Sequence, residues 1–116
     1  MNGLISNKGK RLAQFHPMKL INIIANATLE ERLVDIAEAH DTSGYTILEA
    51  RGAGSAGLQT GVLEGGSNIL FMLIVTEAKL DDVMVDVEKL MKRGHHLACF
   101  VSDTQVMRRE KFSSQE

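Results

Sequence analysis

The chain has 116 residues, a formal net charge of −2 and 44% hydrophobic residues, which suits one packed domain with a single core. No basic tract is long enough to argue for a nucleic-acid partner, and no apolar run approaches the length of a membrane span. The single cysteine, Cys99, excludes an intramolecular disulfide and fits a reducing, cytoplasmic setting.

Residues 1–18 are polar and basic and lack the apolar region of a secretory signal. They read as a flexible tail, with Met18 as an alternative start. Lys19–Asn26 (KLINIIAN) is short, isoleucine-rich and strand-like. Thr28-Leu29-Glu30-Glu31 then has the spacing of a capping box, with Thr28 accepting from an early amide and Glu31 reaching back. Leu29, Leu33, Ile36 and Ala37 recur at helical spacing and predict an amphipathic helix over Leu29–Ala39. Asp41-Thr42-Ser43-Gly44 stops it, and Tyr45–Arg51 (YTILEAR) reads as a second strand.

A glycine-rich loop follows. Gly52, Gly54, Gly57, Gly61, Gly65 and Gly66 are six of the ten glycines in the chain. Beyond it, Ile69–Val75 (ILFMLIV) predicts a continuous apolar strand, central and buried on both faces. Leu80, Val83, Met84, Val87, Leu90 and Met91 mark a second helix, with Asp81 and Asp82 near its start and Lys89, Lys92 and Arg93 near its end, as the helix dipole favours. Gly94 is placed to end that helix. Leu97–Val101 (LACFV) is the fourth strand, and residues 110–116 read as a second tail.

Two strand-helix-strand units, 19–51 and 69–101, therefore flank the loop. This pattern predicts an α+β fold, a ferredoxin-like β-α-β-β-α-β sandwich over residues 19–109. Both helices would cover one sheet face. The other face carries apolar residues with no cover in one chain, and this implies an oligomer.

The loop matches G-x-G-x-x-G at Gly52, Gly54 and Gly57, but a dinucleotide fingerprint must open a helix, and Leu58–Asn68 is too rich in glycine for one. A long connection in a compact domain is instead a binding element or a plain mobile hairpin link. Arg51, Arg93, Arg108 and Arg109 stand near element ends and glycine-bearing turns, where guanidinium groups suit an anionic ligand. His95, His96 and Cys99 form a His-x-x-Cys cluster of transition-metal ligand types. Adjacent histidines diverge in a strand, however, and a thiol in an apolar strand usually packs. No catalytic Ser/His/Asp set or carboxylate pair stands out, so neither catalytic residues nor a metal site are expected.

With these residues in place, the chain resembles the PII signalling superfamily from roughly Lys19 to Arg109. The resemblance is carried by the opening KLINIIANATLEERLVDIAEAHDTSGYTILEARGAG, by the T-loop position after Arg51-Gly52-Ala53-Gly54, and by the ending CFVSDTQVMRR. It implies a homotrimer with adenine nucleotides in the clefts between subunits, and a T-loop over about residues 52–68 that orders on binding and docks onto a transporter or an enzyme. Under the resemblance Thr46 lines the adenine pocket and Ile74 contacts adenine. Gly52 and Gly54, with Ala53 between them, present loop-base backbone to the nucleotide. Gly94 starts the B-loop beside Arg93, His95 and His96, and Arg108 and Arg109 contact phosphates.

The departures from the family pattern are specific. Ser55-Ala56 stands where nitrogen-regulatory members have Arg-Gln, which weakens the case for 2-oxoglutarate sensing. The modified T-loop tyrosine has no counterpart, since Tyr45 is the only tyrosine and lies in a strand. The B-loop lysine is missing as well. Fewer cations imply that ADP or AMP binds at least as well as ATP. Gly44-Tyr45-Thr46 with Arg51-Gly52-Ala53-Gly54-Ser55 is closer to members tied to inorganic carbon, carboxysomes and bicarbonate transport, which implies bicarbonate beside the nucleotide. No obligatory cofactor, nucleic-acid partner or membrane insertion is expected. A nitrogen-regulatory paralogue, a metal-binding trimer, a slow nucleotide hydrolase and a purely structural trimer are the competing readings.

Overall fold

The isoleucines near the start of the chain alternate between two faces of a strand, and what covers each face sets the architecture. The computed structural model describes residues 14–42, 44–52 and 67–108. In order they form β1 (Gln14–Asn26), a 3-10 turn (Ala27–Leu29), α1 (Glu30–Ala39), β2 (Tyr45–Ala50), β3 (Asn68–Val75), α2 (Glu77–Lys92) and β4 (Leu97–Arg108). The four strands make one antiparallel sheet in the order β2-β3-β1-β4. This is the expected ferredoxin-like arrangement.

Ile21, Ile23 and Ala25 of β1 lie opposite Leu73, Phe71 and Ile69 of β3. With Val75 they form the buried sheet face. Leu33 and Ala37 of α1, and Val83, Val87 and Leu90 of α2, pack onto it at helical spacing. Each large apolar side chain among them contributes about 1.5–3 kcal/mol when fully buried. Tyr45 stacks on Phe71 with ring centroids 5.4 Å apart.

β3 runs between β2 and β1, but from Ile69 to Val75 only alternate residues are buried. Leu70, Met72 and Ile74 are half-buried, because none of the described elements lies over the second sheet face. Leu20 and Ile24 share that uncovered face, as do Leu48 and Phe100, both about half exposed.

Several element ends differ from expectation. The capping box at Thr28–Glu31 does not form. The Asn26 side chain accepts from the Thr28 N–H at 2.8 Å, and the chain enters α1 through a 3-10 turn in which Leu29 is buried. α2 begins after Thr76, so the acid in its first turn is Glu77, with Asp81 and Asp82 beyond it. β1 starts at Gln14 rather than Lys19 and β4 runs to Arg108 rather than Val101, because the two outer segments pair with each other from Gln14↔Arg108 inward. Residues 14–18, expected in the tail, thus belong to the sheet. Pro17 is tolerated there because, among the described residues, this part of β1 pairs with β4 only, β3 joining from Lys19 onward.

Both helices end in the same backbone motif. Thr42 N–H donates to Ala37 O and Asp41 N–H to Glu38 O, with Asp41 at φ +54°. His95 N–H donates to Leu90 O and Gly94 N–H to Met91 O, with Gly94 at φ +99°. Among the described residues no helix is long and apolar enough to cross a membrane.

Candidate functional site

The sheet order decides where the candidate residues stand. β1 and β2 finish, and β3 and β4 begin, at one end of the sheet. At that end Asn26, Asn68 and Ala50 form a row across three strands, and the Ala27 N–H donates to Ser67 O at 2.7 Å. Arg51 and Gly52 continue from β2 here, both exposed. Ala53 and Gly54, with residues up to 66, lie outside the described residues.

Arg93, Gly94, His95 and His96 connect α2 to β4 at the same end. Arg93, Gly94 and His96 are exposed and His95 is half-buried. However, β2 and β4 are opposite edges of the sheet, three strand spacings or about 14 Å apart. Arg108 closes β4 at the far end, eleven residues from Leu97, which is roughly 36 Å along an extended strand. Arg109 lies outside the described residues. The arginines expected to gather around one anionic ligand are therefore not brought together within a single chain. Thr46 and Ile74 lie on the uncovered face, Thr46 opposite Met72 and two residues short of Ile74 in register, so they are diagonal neighbours.

The His-x-x-Cys cluster does not converge. Cys99 lies on the helix-covered side, its Sγ 4.0 Å from the Met84 Sδ, and burial pushes its thiol pKa up. A protonated, packed thiol is a poor metal ligand. His95 instead meets Arg32 of α1, whose Nη1–H donates to His95 Nε2 at 2.7 Å. Among the described residues no group of three His, Cys, Asp or Glu side chains is placed to hold a metal ion.

Two further polar contacts tie elements together and were not foreseen. His40, after α1, donates from Nε2–H to Asp86 Oδ2 of α2 at 2.7 Å, with Lys89 3.6 Å from the other carboxylate oxygen. The His40 hydrogen bond is the main cause of a lowered Asp86 pKa, opposed by partial desolvation. Lys19 pairs with Asp103 across β1 and β4, and that hydrogen bond is the main cause of a raised Lys19 pKa. No local pattern marks these pairs, since the partners are 46 and 84 residues apart.

A protein-family model described as nitrogen regulatory protein P-II matches residues 18–111. Among solved structures, a PII-like signalling protein from Thermus thermophilus is 28% identical, with a TM-score of 0.65 over 80% of this chain and 91% of that one. CPII from Thiomonas intermedia, a nitrogen regulatory PII-like protein, superposes in its apo form with a TM-score of 0.69 at 21% identity over 83% of this chain and 98% of that one. A structure of CPII bound to ADP and bicarbonate is 26% identical, with a TM-score of 0.69 over 80% and 91% of the two chains. No curated protein sequence matches. The fold, the strand order and a family match that spans most of the chain agree: this chain belongs to the nitrogen regulatory protein P-II family.

Proposed function

We propose that this chain is a PII-like regulator that binds ADP or AMP, with ATP as a further ligand, in clefts between the subunits of a homotrimer. Bicarbonate binds beside the nucleotide, and the bound state is reported to a transporter or enzyme of inorganic-carbon uptake through the segment 52–68. The observation that carries this reading is the division of the candidate site between two sheet edges. Thr46, Arg51 and Gly52 belong to the β2 edge and Arg93–His96 to the β4 edge, while Arg108 closes β4 at its far end.

One chain cannot close both halves around a ligand. A ring in which the β2 edge of one subunit meets the β4 edge of the next brings Arg51 and Gly52 toward Arg93–His96, and a heterologous contact closes into a cyclic trimer when each step rotates by a third of a turn. The uncovered apolar face, with Leu48, Leu70, Met72 and Phe100, supplies the surface to bury. The CPII structure with ADP and bicarbonate supports the choice of ligands.

Gly52 fits a ligand-facing role. A Cβ there would meet nothing within 4 Å, and its φ is not positive, so neither packing nor backbone calls for glycine. Phosphate at Arg51 and Gly52 would favour one conformation of the segment that follows, by as much as its differential affinity for that state.

Thermal-shift measurements with AMP, ADP, ATP and 2-oxoglutarate, each with and without bicarbonate, test the proposal. Ligand at 100 times its Kd stabilises by about 2.7 kcal/mol, a shift of several degrees. ADP and AMP are expected to raise Tm, further with bicarbonate, and 2-oxoglutarate is not. A flat response to every nucleotide refutes the reading.

A further inference from the structure

We infer that Arg32 is a positioning residue that sets His95 as a hydrogen-bond donor toward a nucleotide phosphate, an inference that rests on reading the 93–96 connection as ligand-contacting. Arg32 lies in the first turn of α1, beside Leu33, which is buried in the core. Its backbone is therefore anchored to the body of the domain while its guanidinium is exposed. Its Nη1 reaches His95 Nε2 at 2.7 Å from 63 residues away.

The chemistry of the pair is asymmetric. Guanidinium has donors and no acceptor, so His95 Nε2 must present its lone pair and the ring proton must sit on Nδ1. The imidazole is then neutral, with Nδ1–H as a fixed donor. The backbone is fixed as well, because the His95 N–H is bonded to Leu90 O and Gly94 holds the turn at φ +99°. Ring and main chain are thus both preorganised in the connection that carries Arg93 and His96. A phosphate oxygen is the acceptor that suits such a donor among cationic neighbours. Arg32 acts through His95, and no contact of its own with ligand is required.

The test combines imidazole nitrogen NMR with ADP calorimetry on the full-length chain and on Arg32→Ala and Arg32→Lys. In the wild type, His95 should show a protonated Nδ1 and a lone pair at Nε2. Arg32→Ala should lose that signature, shift toward the Nε2–H tautomer and bind ADP about tenfold more weakly, the equivalent of one charge-assisted hydrogen bond. Arg32→Lys keeps a donor on a long stem and should restore part of both. A wild-type ring protonated on Nε2 overturns the pairing. An Arg32→Ala variant that changes tautomer but binds ADP as the wild type does overturns the positioning role. Absence of ADP binding by the wild type overturns the nucleotide reading and the phosphate role with it, while the tautomer signature still decides the pairing by itself.

Discussion

Phe100 and Val85 expose nearly equal fractions of their area, 51% and 50%, on opposite sides of the molecule. Phe100 lies in β4 opposite Asn22, on the uncovered sheet face. Val85 lies on the outer side of α2, between the buried Val83 and Val87. A phenylalanine carries about 150–250 Å² of burial, so about 100 Å² remains open at Phe100. Covering it in a trimer is worth about 2.5 kcal/mol per subunit at about 25 cal/mol per Å², and about 7–8 kcal/mol for three copies on the same scale. In Phe100→Asp that gain is lost and a carboxylate must be desolvated or left to disrupt the contact.

Sedimentation velocity at micromolar concentration should show a trimer for the wild type and for Val85→Asp, and a monomer for Phe100→Asp. Far-UV circular dichroism should show all three folded, because neither site belongs to the core. If Phe100→Asp keeps the wild-type mass, or if Val85→Asp dissociates equally, the uncovered face is not the assembly surface and the argument from opposite sheet edges fails.

The two glycines form a contrasting pair. Gly94→Ala places a side chain at φ +99° with open space around it, so its cost is backbone strain alone, about 1–2 kcal/mol. Denaturant unfolding should record it, and Gly52→Ala should leave apo stability unchanged while weakening ADP binding in calorimetry. The His40–Asp86 pair should tie stability to acid pH. The Asp86 pKa is depressed in the folded state, so its contribution is present above the ordinary carboxylate value near 3.9 and is lost as pH falls through the lower folded value. His40→Ala should cost about 0.5–1 kcal/mol at neutral pH, kept small by solvent screening. Its difference from the wild type in urea titrations should shrink below about pH 4; a difference that persists or grows on acidification contradicts the assignment.

The sequence on its own carried the order of elements, because hydrophobic period is local. The seam of Leu33, Ala37, Val83, Val87 and Leu90 is readable in α1 and α2, and Gly94 stands where the second helix must turn. Local choices between near-equal partners were less legible. Asn26 and Thr28 are both good caps, and the buried position of Leu29 favours the earlier one. The outer strand segments were hidden because residues 14–18 and 102–108 mix polar and apolar residues without a clear alternation and become strands by pairing with each other. Arg32 with His95, and His40 with Asp86, are contacts between helices, or between a helix and a distant loop, with no sequence pattern to announce them.

Residue types and spacing were enough for the fold class, and the resemblance to the PII superfamily supplied the family and the residues worth testing. They set Arg51, Arg93 and Arg108 together as a cationic group only as a list. The tertiary structure separated them, because the order β2-β3-β1-β4 sends Arg51 and Arg93 to opposite edges of one sheet and the length of β4 carries Arg108 to its far end. Strand order arises from packing across the whole chain, so no local stretch of sequence contains it. It sets Arg51 and Gly52 on one edge and Arg93–His96 on the other, which is why the site proposed above is drawn between neighbouring subunits.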